Sequence, residues 1–277
     1  MHIDQLKKNI AQIEQVKQYG ENLGFDFGNS FKNINFSGKT VFYWLYASYK
    51  DKIESAIGFE DGDCPFEYFG EDKAAAKLRI NELDEFDTLL FSTSAYGGDD
   101  NCPITKNFLQ QPLYEKASTL FHEGLHNFHA LNKIKIPYSL EEVLACQIGF
   151  TSSVQFITKY FPQTLRHSIK NQEEWLSICT FVNTYYDQLT QCYEEKSGQR
   201  KKILSEAKIE INKLSGRFQR NWEATLKLPM NNAFFLRYID YTKHTLLVEK
   251  YFKDITIQDY LSDPEPHTEN LIQLISE

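Results

Sequence analysis

Apolar residues at the start of the chain recur at helical spacing. Five of them follow one another at steps of three or four residues and so share one face of a helix: Ile3, Leu6, Ile10, Ile13 and Val16. Gly20 comes soon after this stripe, and glycine is common just past the end of a helix. The pattern predicts an amphipathic first helix that ends near Gly20.

Two segments farther along have the composition of strands. Lys39–Ser48 and Asp87–Tyr96 are rich in β-branched and aromatic residues, and the second runs into the turn residues Gly97 and Gly98. Between them, Glu71–Leu83 is centred on consecutive alanines and favours a helix. We therefore expect a small sheet in the first part of the chain.

Helical spacing dominates from Pro112 onward. Proline suits the first position of a helix, and apolar residues recur at helical steps from there to Phe128. A break at Pro137 precedes a second helix from about Ser139 to Tyr160. Helical patterns then continue to residue 227 and resume after Pro229, so this part of the chain is predicted to be largely helical.

These elements predict a single α+β domain that is predominantly α-helical. Residues 1–110 would hold the first helix and the small sheet, residues 111–260 the larger helical part, and residues 261–277 a loose tail marked by Pro264 and Pro266. We find no internal repeat in the sequence and no linker rich in Gly, Ser or Pro that would separate two domains.

Charge and composition exclude several classes of function. The chain of 277 residues has a net charge of −8, which argues against nucleic acid as a partner, because that affinity depends on clustered Lys and Arg. The longest strongly apolar run, Val41–Ala47, is too short to span a bilayer. The first residues lack the pattern of a secretory signal, and the five scattered cysteines form no C-x-x-C pair. We therefore expect a cytoplasmic protein without a membrane span or a disulfide framework.

The segment Phe121–His126 carries the strongest chemical signal. His122 and His126 stand four residues apart in a predicted helix, so both imidazoles can face one metal ion. Glu123 lies one step around the same helix, where its carboxylate can act on water as a general base. This is the H-E-x-x-H arrangement, and it predicts one Zn²⁺ ion per chain.

The residues that follow the motif exclude one class of zinc site. A metzincin needs Gly and then His at the positions held here by His129 and Asn132. His129 still lies about one turn beyond His126 on the same helix face. It could orient a ligand or line the site, and a partly buried structural histidine is an equal alternative.

A catalytic zinc usually takes a third protein ligand, and the next helix offers two candidates. Glu141 and Glu142 stand near the start of that helix. We favour Glu142, because Ala145 and Gly149 follow it on its own face and would let the two helices approach closely, and we keep Glu141 in reserve. The alternative is that Glu142 forms a capping box with Ser139 and has only a structural role.

Taken with their order, these motifs resemble those of the bacterial predicted aminopeptidases, whose zinc site is of the gluzincin H-E-x-x-H type. In that family a Ser-Ala-Tyr segment precedes an F-H-E-x-x-H helix, a Glu-x-x-Ala helix follows, and an Asn-Asn-Ala segment with a tyrosine comes later. The matching segments here are Ser94–Tyr96, Phe121–His126, Glu142–Ala145 and Asn231–Ala233 with Tyr241. The likeness covers roughly residues 10 to 255 and implies a zincin-like fold with a small N-terminal sheet and an active-site helix pair.

The resemblance implies a zinc metallopeptidase, aminopeptidase-like, that acts on a peptide or a small peptide-like substrate. Glu123 would take a proton from zinc-bound water and return it to the leaving amine. Tyr241 would donate to the oxyanion, or it could simply pack in the core. The residues expected to contact substrate are Ala95, Tyr96, Gly97, Asn231 and Asn232, although an asparagine after Pro229 is also an ordinary helix cap.

Departures from the family pattern keep other functions open. The family's aromatic loop after Tyr96 is replaced here by Gly97–Pro103. Family members usually carry an export signal, and no such pattern is seen in this sequence. In the family, the counterpart of Cys64 is often paired with a cysteine a few residues upstream, and this sequence has no cysteine there. A zinc-dependent hydrolase or lyase acting on a small non-peptide molecule is one alternative. A non-catalytic helical scaffold with a relic metal site is the other.

Overall fold

The computed structural model describes residues 3–35, 42–57, 65–93, 102–219 and 228–276. Over these residues the protein is α+β and predominantly helical, which confirms the predicted fold class. The helices in chain order are α1 (Ile3–Leu23), α2 (Lys73–Glu82), α3 (Lys106–Gln110), α4 (Leu113–Asn132), α5 (Tyr138–Tyr160), α6 (Leu165–Glu194), α7 (Arg200–Ser215), α8 (Asn232–Thr242), α9 (Thr245–Tyr251), α10 (Ile257–Ser262) and α11 (Pro264–Ser276). The strands are β1 (Ile34–Asn35), β2 (Phe42–Ser48), β3 (Phe66–Tyr68), β4 (Asp87–Thr93) and β5 (Ile104–Thr105).

The chain divides into two compact units, and each is assembled from separate stretches of sequence. The first unit consists of Met1–Val41, Thr93–Gln172 and His244–Glu277, and the second of Phe42–Ser92 and Glu173–Lys243. The single domain expected from the sequence stays a prediction.

Helix α1 is longer than its sequence pattern predicts. The prediction of a stop near Gly20 is wrong, because the helix continues to Leu23 and is followed by Gly24 with a φ of 109°. Gly20 instead allows a close approach, since a Cβ atom there would lie 2.8 Å from the Phe27 ring. The glycine that ends the helix is thus Gly24, at a backbone conformation that other residues rarely adopt.

Helices α4 and α5 pack against each other in the first unit and support the candidate site. A Cβ atom on Gly149 of α5 would lie 2.8 Å from the Ser118 carbonyl oxygen and 3.2 Å from the Cβ of His122 on α4. Ala145, one turn earlier, is fully buried. The close approach expected from these small residues is confirmed at Gly149, and the start of α5 lies beside the H-E-x-x-H segment of α4.

The second unit contains a three-stranded sheet in the order β3-β2-β4. Strands β2 and β3 are antiparallel, with Trp44 opposite Tyr68 and Tyr46 opposite Phe66, and helix α8 packs against β2. The two predicted strands are confirmed over their described parts, while residues 39–41 and 94–96 lie outside the described residues. A second, two-stranded parallel pair in the first unit joins Ile34 of β1 to Ile104 of β5.

The predicted loose tail is a helix instead. Helix α11 begins at Pro264, carries Pro266 in its first turn and buries Leu271 completely. Proline lacks only a backbone donor that the first turn of a helix leaves without an intrahelical partner, so both prolines are compatible with a helix start. Among the described residues, no helix combines the length and the apolar character needed to cross a membrane.

A buried lysine in α4 gives the first prediction. Lys116 is 1% exposed, and its ammonium donates to the side-chain oxygens of Asn9 at 3.2 Å and Gln12 at 2.9 Å. Burial lowers the pKa of Lys116 to about 8, and the charge of Lys8 lowers it further. Between that pKa and the ordinary value of 10.5, the unfolded chain therefore binds more protons than the folded protein, so stability rises with pH.

We expect this rise to disappear in Lys116→Met, which keeps most of the length of the side chain but cannot ionise. From pH 7 to pH 10, the unfolding free energy of the wild type should gain up to about 3 kcal/mol relative to the variant. Urea unfolding followed by circular dichroism at both pH values measures the difference. Equal pH dependence in the two proteins would show that Lys116 is solvated as in the unfolded chain.

Candidate metal centre

Helix α4 brings the three residues of the H-E-x-x-H segment together. His122, Glu123 and His126 each offer one ligand atom, and these atoms lie within 4.8 Å of one another. The rings of the two histidines are 4.9 Å apart between centroids, and their Nε2 atoms are separated by 3.3 Å. The helical spacing of the motif thus produces the predicted convergence.

Glu142 of α5 completes this cluster. Its Oε2 atom lies 3.5 Å from Nε2 of His122 and 3.6 Å from Nε2 of His126. The alternative capping box with Ser139 is not formed, because α5 is capped at Pro137 without any side-chain hydrogen bond. The structure therefore directs Glu142 toward the two histidines.

The separations among these three atoms fit one zinc ion. Ligand atoms at about 2.0–2.2 Å from a tetrahedral zinc are about 3.3–3.6 Å from one another. The Nε2 atoms of His122 and His126 and the Oε2 of Glu142 are 3.3, 3.5 and 3.6 Å apart, which matches all three edges of such a tetrahedron. For the set that includes Glu123, the distances between ligand atoms reach at most 4.8 Å, which is longer than these edges. A larger separation is expected for a residue that lies beside the ion without binding it.

The Oε2 atom of Glu142 is buried and accepts no hydrogen bond from any described residue. A buried charged oxygen without a partner is costly unless a cation or a donor satisfies it. A divalent ion bound equally by the two histidines would supply this charge. The orphaned oxygen is thus a second observation that fits a metal.

The charges at the cluster support the same assignment. Burial lowers the pKa of His126, but the carboxylates of Glu142 and Glu141 outweigh burial and hold this pKa well above its ordinary value. Burial conversely raises the pKa of Glu142, yet the positive charge of His126 outweighs it and holds the pKa well below the usual range. Glu142 is therefore ionised at neutral pH, and the site attracts positive charge.

Glu141, the reserve ligand, lies on the other side of the His126 ring. Its Oε1 atom is 3.2 Å from Nδ1 of His126 and 3.0 Å from Nδ1 of His129. Burial raises the pKa of Glu141, but its contacts with the two histidines outweigh this effect and lower the pKa to about 2. The geometry thus separates the adjacent glutamates, with Glu142 facing the Nε2 atoms and Glu141 the Nδ1 atoms.

His129 is buried and reaches a residue that the sequence did not single out. Its Nε2 atom lies 2.9 Å from the hydroxyl of Tyr260 in α10, and that hydroxyl lies 3.2 Å from Oγ1 of Thr268 in α11. The sequence offers no local signal for these contacts, since Tyr260 is 131 positions from His129. Of the two alternatives for His129, the structure supports a buried structural histidine. Its ring also contacts Glu141, which lies beside His126.

Asn231 and Asn232, expected to bind substrate, both have partners within the second unit. Asn231 caps α8, where its side-chain oxygen accepts from the amide of Phe234 at 3.1 Å. This is the ordinary cap given as an alternative for the asparagine after Pro229. Asn232 is fully buried, and its side-chain Nδ2 donates to the carbonyl oxygen of Tyr49 at 2.8 Å. These contacts indicate structural roles, and substrate binding by either residue stays a prediction.

Tyr241, the expected oxyanion donor, also belongs to the second unit. It lies near the end of α8 and is partly buried, with the Arg237 guanidinium 4.1 Å from the centre of its ring. The same guanidinium lies 4.4 Å from the centre of the Phe91 ring. The catalytic role of Tyr241 stays a prediction. The remaining expected substrate residues, Ala95, Tyr96 and Gly97, lie outside the described residues.

Comparison with known proteins adds one match. No curated protein is significantly similar to this chain. No solved structure is significantly similar either. A sequence model of one protein family, described as "Putative aminopeptidase", matches residues 2–263, which is nearly the whole chain and agrees with the resemblance carried by the motifs. The chain therefore belongs to this aminopeptidase family.

Proposed function

We propose that this protein is a zinc-dependent, aminopeptidase-like metallopeptidase of the gluzincin type. His122, His126 and Glu142 would hold the ion, and Glu123 would be the general base. The observation that carries the proposal is the triangle of two Nε2 atoms and one carboxylate oxygen with sides of 3.3, 3.5 and 3.6 Å. Family membership supports a peptide substrate, and the cluster supports metal-assisted hydrolysis.

The bound zinc would supply Lewis acidity toward the scissile carbonyl and toward water. Glu123 is only partly buried and stands beside the ligands, so its carboxylate can accept a proton from water and pass it to the leaving amine. Glu142 would contribute one negative charge to the ion. Glu141 contacts Nδ1 of His126, which would leave the Nε2 lone pair of that ring, like that of His122, available to the ion. Tyr241 would donate a hydrogen bond to the oxyanion.

Two measurements test this function together. Elemental analysis of protein purified without added metal should find one zinc per chain, and the double variant His122→Ala with His126→Ala should contain none. Digestion of a peptide library followed by mass spectrometry should show cleavage by the zinc protein, with single residues removed from amino termini.

The same measurements separate the alternatives. Bound zinc without cleavage of any peptide would favour a hydrolase or lyase for a small non-peptide molecule. Absence of zinc from the wild type, even after dialysis against zinc, would favour the helical scaffold. Iron or manganese in place of zinc would contradict the assignment of the ion.

The role of Tyr241 is tested separately. Tyr241→Phe removes one hydroxyl, and loss of a contact made only in the transition state should lower kcat more than it raises KM. Tyr238, three residues earlier in α8, carries the same group on the same helix and is the next residue to test if Tyr241→Phe has normal kinetics. Unchanged kinetics in Tyr241→Phe would remove the oxyanion role and leave the zinc site standing.

A further inference from the structure

One connected series of polar contacts lies behind His126, on the side of the ring away from Glu142. Glu141 Oε1 meets Nδ1 of His126 at 3.2 Å and Nδ1 of His129 at 3.0 Å. Nε2 of His129 meets the hydroxyl of Tyr260 at 2.9 Å, which in turn meets the hydroxyl of Thr268 at 3.2 Å. The series joins α4 and α5 to the helices α10 and α11 within the first unit.

With zinc bound at Nε2 of His126, a single arrangement of ring protons satisfies every contact in this series. An ionised carboxylate only accepts, so Glu141 requires a proton on Nδ1 of both His126 and His129. Nε2 of His129 then accepts from the hydroxyl of Tyr260, and the oxygen of Tyr260 accepts from Thr268. Nε2 of His126 is left with its lone pair directed at His122 and Glu142.

Burial makes this arrangement rigid. His129 is 1% exposed, Tyr260 is fully buried and Thr268 is 3% exposed, so water cannot readily replace the partners. The Tyr260 ring also packs against Phe252, with centroids 5.9 Å apart. A metal-ligating histidine usually donates its second ring nitrogen to a carboxylate, and such partners set both the tautomer and the orientation of the ring.

We propose that Glu141, His129 and Tyr260 are positioning residues that fix the tautomer and the orientation of His126, so that the C-terminal helices help to set the zinc affinity. The inference rests on the proposed zinc site and deepens it, since it assigns the adjacent glutamates different tasks. Glu142 binds the ion, while Glu141 acts on the ion only through His126.

The test measures zinc affinity by competition with a chelator, using the full chain. Glu141→Gln keeps the shape of the side chain but removes its charge, and should weaken zinc binding about 10- to 100-fold. Tyr260→Phe keeps the buried ring and should weaken binding by a smaller factor. Because Tyr260 acts through Glu141, Tyr260→Phe should cause no further loss in the Glu141→Gln background, so the two effects should not be additive.

Tyr251→Phe provides the matched control. The Tyr251 hydroxyl lies 2.8 Å from Nδ1 of His267, a tyrosine–histidine pair between α9 and α11 that involves neither Glu141 nor His129. This variant should bind zinc as tightly as the wild type. A general weakening of the C-terminal helices would affect Tyr251→Phe and Tyr260→Phe alike, whereas the positioning role predicts an effect of Tyr260→Phe alone.

Nitrogen NMR of ¹⁵N-histidine protein supplies a readout that packing alone would not change. The zinc-bound wild type should show protons on Nδ1 of both His126 and His129, and Tyr260→Phe should alter the His129 signals. Equal zinc affinity in the wild type, Glu141→Gln and Tyr260→Phe, or a proton on Nε2 of a neutral His129, would overturn the positioning role and leave the zinc site intact. A wild type that binds no zinc would overturn both proposals.

Discussion

Replacing Glu123 by Gln is expected to lower kcat/KM at least about a hundredfold on any peptide that the wild type cleaves, because general-base catalysis typically contributes 10²–10⁴-fold. The amide keeps the size of the side chain and its helix propensity, but it cannot take a proton from water. Zinc content and the unfolding transition should therefore match those of the wild type. A peptidase assay with elemental analysis of the same preparation measures both quantities.

Glu115→Gln is the matched control for this variant. Glu115 lies in the first turn of the same helix, about two turns before Glu123, so the substitution removes the same charge from α4 outside the zinc motif. Its activity should stay close to that of the wild type. If Glu123→Gln retained full activity with zinc bound, Glu123 would not be the base and the hydrolytic mechanism would be wrong.

Replacing Glu142 by Ala should remove the zinc from the purified protein. This substitution deletes one of the three proposed ligands. It also removes a carboxylate whose Oε2 atom lies 3.5 and 3.6 Å from the two Nε2 atoms. The loss of affinity should therefore exceed the roughly 10- to 100-fold typical of a residue beside a ligand. Zinc content after gel filtration, compared with that of the wild type, measures the effect.

Glu141→Ala serves as the control next to it in the sequence. It removes the same group from the adjacent position of α5, yet its carboxylate faces the Nδ1 atoms. We expect this variant to keep one zinc per chain at micromolar protein concentration, although with weaker affinity. The reverse result, with zinc lost from Glu141→Ala and kept by Glu142→Ala, would move the ligand by one position.

Local patterns were sufficient to predict the helix pair that carries the site. The spacing of His122 and His126 fixes their common face, and the small residues Ala145 and Gly149 indicate where the second helix approaches. Both inferences need only neighbouring residues of one helix. The structure agrees with them, because Gly149 lies against the backbone beside His122.

Predictions failed where distant contacts decide the outcome. Gly20 and Pro264 are local signals of a helix end and of a loose tail, respectively. In the structure, Gly20 lies inside α1 against the Phe27 ring, and Leu271 of the last helix is buried. Tyr260 could not be assigned from sequence, because its partner His129 is 131 positions away. The different tasks of Glu141 and Glu142 likewise depend on the side of the His126 ring that each one faces.

The discontinuous first unit has a consequence for synthesis on the ribosome. Its hydrophobic core includes Tyr260 and Leu271 together with Ile13 and Phe121, so it cannot close until the segment that contains Tyr260 and Leu271 has been translated. The second unit ends at Lys243 and is complete earlier. At about 5–20 residues per second, roughly 7–27 s separate the synthesis of His126 from that of Tyr260. The contact of His129 with Tyr260 would therefore form only after α10 has been translated.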